Sequence, residues 1–120
     1  MSNSFLGKRI KACGYAFKGA LILVKTEPPI QVQMVIAILM TAIGFYFQIT
    51  TTEWMFQIFA IGLVISVEAA NTAMEEIADF IHPDYHKKIG LIKDMAAGAV
   101  FFAAITAIII GLVIYLPYLF

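Results

Sequence analysis

Three apolar runs constrain this chain more than any other feature. Residues 30–49, 55–81 and 95–118 are each long enough to cross a bilayer, which takes about 20 predominantly apolar residues, and they occupy most of a 120-residue chain that is 62% hydrophobic. With no water inside the hydrocarbon layer, each run must satisfy its backbone internally, so each is predicted to be a helix. The first and third contain no charge, while the second ends in carboxylates. The expected fold class is an all-α membrane protein, one domain over residues 1–120.

The charges orient it. All eight Lys and Arg residues fall in two segments: Lys8, Arg9, Lys11, Lys18 and Lys25 before the first span, and Lys87, Lys88 and Lys93 between the second and third. Only Glu53 lies between the first and second. By the positive-inside rule both basic segments are cytoplasmic, with the N-terminus inside and the C-terminus outside. Net charge is zero, so no general attraction to nucleic acid is implied. Cys13 is the single cysteine and excludes an intrachain disulfide framework. No cleavable signal is expected, and the first span would itself direct insertion.

Ser2 to Ser4 offer N-caps for an amphipathic helix over residues 4–27. Leu6, Ile10, Cys13, Phe17, Leu21 and Val24 share its apolar face; Lys11, Lys18 and Lys25 line a basic face suited to a membrane surface. Tyr15 lies on the basic side, beside Lys8, Lys11 and Lys18. Pro28 and Pro29 should end this helix, and Gln31 and Gln33 then fall on opposite sides of the first span. Tyr46, Trp54, Tyr115 and Tyr118 read most simply as interface anchors. Ala96, Ala97, Gly98 and Ala99 are small enough for close helix approach.

The polar chemistry gathers at the end of the second span. At about 100° per residue, Glu68, Asn71, Thr72, Glu75 and Asp79 share one helical face. An ionisable residue at membrane depth is expensive, which makes Glu68 the first residue to explain. A carboxylate cluster near basic residues and an aromatic ring has the parts of a phosphoryl-transfer site: carboxylates for a divalent metal, cations for phosphate charge, and a base for the attacking hydroxyl. Glu27 and Glu75 would suffice as magnesium ligands, since that ion uses one or two carboxylates plus substrate phosphates. Neither a GxxxxGK[ST] loop nor a protein-kinase glycine loop is present. Two other readings stay open on the residues alone: a small proton-coupled exporter working through Glu68, and a non-catalytic membrane adaptor. Because three spans hardly shield several carboxylates, a homo-oligomer is expected.

Glu68, Asn71, Thr72, Ala73, Glu75 and Asp79, followed by Lys93, Asp94, Met95, Ala96 and Ala97, resemble the two signature blocks of the prokaryotic diacylglycerol kinase family, which includes undecaprenol kinases. The resemblance extends from about Lys8 to the C-terminus. It implies a homotrimeric enzyme of the bacterial inner membrane, each subunit carrying an N-terminal surface helix and three transmembrane helices. The implied reaction transfers the γ-phosphate of ATP, with Mg2+, to a membrane lipid alcohol. That acceptor is diacylglycerol or undecaprenol. By the same resemblance Glu68 is the general base and Glu27 and Glu75 are metal ligands. Lys8, Tyr15, Glu27, Glu75, Asp84, Tyr85, His86, Lys93 and Asp94 match nucleotide-contacting positions, with Asn71, Thr72 and Asp79 in support. Lys8 is preferred over Arg9 because it shares the face of Tyr15. The chain departs from the family pattern at Ala16, where a serine is frequent, and at Pro28 and Pro29.

Overall fold

The computed structural model describes residues 4–120, so the candidate caps Ser2 and Asn3 lie outside the described residues. Four helices follow one another: α1 (Phe5–Thr26), α2 (Pro28–Phe47), α3 (Thr51–Ile81) and α4 (Lys87–Leu119). The last three are long and apolar enough to cross a membrane.

Local chemistry sets each boundary. The Ser4 hydroxyl caps α1 by accepting from the Gly7 N–H at 3.1 Å. Glu27 is extended, with φ −104° and ψ 107°, as a residue before proline must be. Pro28 then opens α2, where a missing N–H costs nothing because the first turn has no helical acceptor for it. The proline pair therefore starts the second helix as well as stopping the first. Gln31 closes the corner: its amide donates to the carbonyls of Val24 and Lys25 at 3.0 and 3.1 Å, satisfying the open end of α1.

At its other end α2 stops on Gln48, which takes a left-handed conformation with φ 53°. That conformation costs a non-glycine residue roughly 1–2 kcal/mol. Bonds from the Gln48 and Ile49 N–H groups back to the Phe45 and Gly44 carbonyls offset it. Thr50 and Glu53 form a reciprocal capping box on α3, with bonds of 3.2 and 2.9 Å. His86 caps α4 through its ring nitrogen, 3.0 Å from the Lys88 N–H.

α3 and α4 pack as an antiparallel hairpin. Its register can be followed from Asp79 with Lys93 at one end to Gln57 with Tyr115 and Glu53 with Tyr118 at the other. α2 runs antiparallel to α3 and is joined to it by two glutamines. Gln33 reaches Glu68 at 3.1 Å, and Gln57 donates to the Met40 carbonyl at 3.0 Å. Between the two the helices part around an apolar cavity of about 600 Å³ lined by Ile36, Ala60, Val64, Ala107 and Ile110. α1 packs chiefly against α2.

Three side chains expected to anchor at the membrane interface are instead used inside the chain. Tyr115 is buried and donates to Gln57 Oε1 at 2.5 Å, and Tyr118 donates to Glu53 at 2.5 Å. The Trp54 ring lies against Gly44, where an added Cβ would sit 2.7 Å from it. Each has a partner across helices that sequence spacing does not reveal. Tyr46, by contrast, is 80% exposed.

Two substitutions test this packing. Tyr115→Phe leaves Gln57 Oε1 buried without a donor and should cost about 1–3 kcal/mol, and Gly44→Ala should destabilise by forcing α2 off the Trp54 ring. Chemical unfolding in detergent micelles should show both below the parent. Parent-like stability would mean that these contacts do not hold the helices together.

Candidate active site

The site is built on the face of α3 that begins at Glu68. Glu68 is 7% exposed, a position where a carboxyl group needs partners. It has two of them through its side chain: Gln33 Nε2 donates to Oε1 at 3.1 Å and Asn71 Nδ2 to Oε2 at 3.3 Å. The same Asn71 nitrogen donates to Glu75 Oε1 at 2.8 Å. One amide, itself 8% exposed, therefore bridges a buried carboxylate and an exposed one about two turns further along the helix. Thr72 is turned back onto its own helix, its hydroxyl bonding to the Glu68 carbonyl at 3.2 Å.

Burial of Glu68 is achieved within a single chain. The first span, α2, supplies that cover through Gln33, while Glu75 and Asp79 on the same face stay exposed. What one chain leaves open is apolar. Between 11% and 22% of each span's most apolar window is buried, so lipid or other copies of the chain must cover the rest.

One turn beyond Glu75 the same face carries Asp79. Asp79 and Lys93 form an ion pair across the α3–α4 hairpin at 2.5 Å. Both are partly exposed, so the pair fixes the position of Lys93 more than it adds to stability. The turn between the helices holds Asp84, Tyr85 and His86. His82 Nδ1 lies 2.6 Å from the Asp84 carbonyl, and its ring is 5.3 Å from that of His86. Tyr85 lies over Gly90, where an added Cβ would be 3.3 Å from the ring, and is otherwise 84% exposed. The His86 cap described above gives that residue a structural task in addition to the one the resemblance implies. Asp94 is exposed one residue beyond Lys93.

The remaining site candidates lie on or beside α1. Lys8 and Tyr15 are exposed, and among the described residues neither is hydrogen-bonded to the α3 carboxylates. Arg9 stacks on Phe5, its guanidinium 5.5 Å from the ring centre. Glu27 sits at the α1–α2 corner and is partly buried. Among the described residues no three His, Cys, Asp or Glu side chains converge as a metal cage. The oxygen donors Glu27 and Glu75 nonetheless fit magnesium in kind, because that ion takes few protein ligands and completes its shell with water and phosphate.

Gln33 and Gln57 are the residues that sequence reading missed. Each is a polar residue in an apolar run, and that interruption was the available signal.

A buried, hydrogen-bonded carboxylate at the end of a membrane helix, next to an exposed acidic and basic rim, defines a small helical membrane enzyme acting where lipid meets water. Comparison makes this specific. The profile of the prokaryotic diacylglycerol kinase family matches residues 14–115, and the chain belongs to that family. It is 35% identical over 112 residues to the undecaprenol kinase of Bacillus subtilis (strain 168), covering 93% of this chain and 91% of that one. Identity to the diacylglycerol kinase of Escherichia coli (strain K12) is 32% over 111 residues, covering 91% of each. A diacylglycerol kinase of Synechocystis sp. is 45% identical over 56 residues, 46% of this chain and 32% of that protein. The activity is that of an ATP-dependent lipid kinase, and the exporter and adaptor readings are set aside.

Asn71→Ala frees both carboxylates at once. It should lower kcat by about 10-fold or more while leaving the protein folded, because a small misplacement of reacting groups is costly to rate. Lipid phosphorylation in mixed micelles measures it; an unchanged kcat would show that the bridge is only structural.

Proposed function

We propose that residues 1–120 act as one lipid-kinase domain in which Glu68 is the general base. The observation that carries this reading is the burial of Glu68 with two amide donors on its carboxylate, beside an apolar cavity and a polar rim. The acceptor is a lipid alcohol of the membrane, diacylglycerol giving phosphatidic acid or undecaprenol giving undecaprenyl phosphate. Its hydroxyl proton passes to Glu68 as the oxygen attacks the γ-phosphorus of ATP. The bond from that phosphorus to the β-phosphate oxygen breaks, and ADP departs.

Glu27 and Glu75 would hold Mg2+. At that position the ion would supply positive charge against the phosphates during transfer. Lys93, steadied by Asp79, and Lys8 supply further positive charge, while Tyr15, Asp84, Tyr85, His86 and Asp94 complete the nucleotide surface. Asn71 sets the spacing of Glu68 and Glu75, and Thr72 braces the helix between them.

The assembly is a homotrimer in the bacterial inner membrane. The apolar faces that one chain leaves uncovered support an oligomer, and the placement of all eight basic residues supports a cytoplasmic N-terminus and active site with the C-terminus outside.

The deciding experiment offers diacylglycerol and undecaprenol in parallel to the purified protein in mixed micelles with γ-labelled ATP. Label should enter at least one lipid, magnesium chelation should abolish transfer, and Glu68→Gln should lower kcat by about 10²- to 10⁴-fold, the usual contribution of a positioned base. Wild-type turnover by Glu68→Gln would remove the base assignment.

A further inference from the structure

Gln33 is the one polar side chain of α2 that reaches the α3 carboxylates. Its Nε2 donates to Glu68 Oε1 at 3.1 Å. Its other end, Oε1, is buried and has no hydrogen-bond partner. An amide oxygen in that state costs about 1–3 kcal/mol against one that is paired. A leucine or methionine at this position would fill the same apolar wall without that cost. Gln33 also lines the cavity between α2, α3 and α4.

These facts fit a group that has to serve two states of Glu68. A carboxylate is acceptor-only and needs a donor; a carboxylic acid has an O–H and needs an acceptor. A primary amide carries both. We propose that Gln33 is a positioning residue for Glu68. It donates through Nε2 while Glu68 is ionised and, after half a turn of the amide, accepts through Oε1 once Glu68 holds the proton taken from the lipid hydroxyl. No bond other than a hydrogen bond changes at Gln33. The proton leaves the alcohol oxygen, resides on a Glu68 oxygen and returns to solvent after the phosphorylated lipid departs.

Holding the carboxylate from α2 also fixes which way it faces. Asn71 reaches Glu68 from within α3 itself and pulls toward Glu75. Gln33 reaches it from the neighbouring helix, on the cavity side. With one donor on each oxygen, the carboxylate plane is set by two fixed points, and removing Gln33 leaves only the tie toward Glu75.

This inference rests on the assignment of Glu68 as base, and the test separates the two. Gln33→Met, close in length and without polar atoms, is compared with the parent and with Glu68→Gln in micelles. The expected result is a kcat lowered about 10- to 100-fold with KM for both ATP and lipid within about twofold. The infrared carboxyl band that disappears in Glu68→Gln should shift in Gln33→Met. An unchanged kcat overturns the proposal. So does a loss carried by KM, or a lower kcat with the Glu68 band unmoved, since either would mean that Gln33 does not act through Glu68. Should the methionine variant fold poorly, Gln33→Glu replaces it. It retains the shape but offers a second carboxylate in place of the donor, and a parent-like kcat there is equally fatal. If Glu68→Gln itself turns over like the parent, the base assignment fails, whatever position 33 does.

Discussion

Within a bilayer an apolar helix face gains little by leaving lipid for another helix, because lipid tails are as apolar as leucine. What fixes these helices relative to one another is therefore a small number of polar contacts and close approaches. Gln33 with Glu68 and Gln57 with the Met40 carbonyl join α2 to α3; Tyr115, Tyr118 and Lys93 join α4 to α3. The rest of the packing fits around them, including the approach of Trp54 to Gly44. The chain buries few residues, and three of those are Gln57, Glu68 and Asn71.

The two glutamines show how one residue type serves stability and chemistry at different depths. Gln57 is saturated: its nitrogen meets a backbone carbonyl and its oxygen meets a tyrosine hydroxyl. Gln33 is saturated at one end only. A fully paired buried network rigidifies the structure around it, whereas an unpaired buried polar atom carries a cost. The contrast places the structural tie at one end of the α2–α3 cavity and the adaptable one at the end that carries Glu68. Catalysis at such a site depends on holding a carboxylate ready in an apolar setting without leaving it unsolvated, and amide donors from two helices do that without adding charge.

The acidic rim beyond Glu68 follows a gradient along one helix face. Glu68 is buried, Glu75 is exposed but tied to it through Asn71, and Asp79 is exposed and paired with a cation from α4. Amide partners give way to a charged one at the outermost step, where water is most available. A lipid alcohol arriving from the membrane and a nucleotide arriving from water would thus meet opposite ends of the same face.

Length and hydropathy alone determined the helical class and the approximate spans, because a bilayer permits a polar backbone only one way of crossing it as a single chain of this size. Helical periodicity placed Glu68, Asn71, Thr72, Glu75 and Asp79 on one face, and the signature residues pointed to the kinase family. Partners across helices were out of reach, since period and composition describe one helix at a time. Nothing in the sequence says that Gln33 meets Glu68 and Gln31 meets Val24, or that Tyr115 turns inward while Tyr46 faces outward. The tertiary structure decided those pairings, and with them the shielding of Glu68 inside one chain, because burial of a polar group is settled only by what lies opposite it.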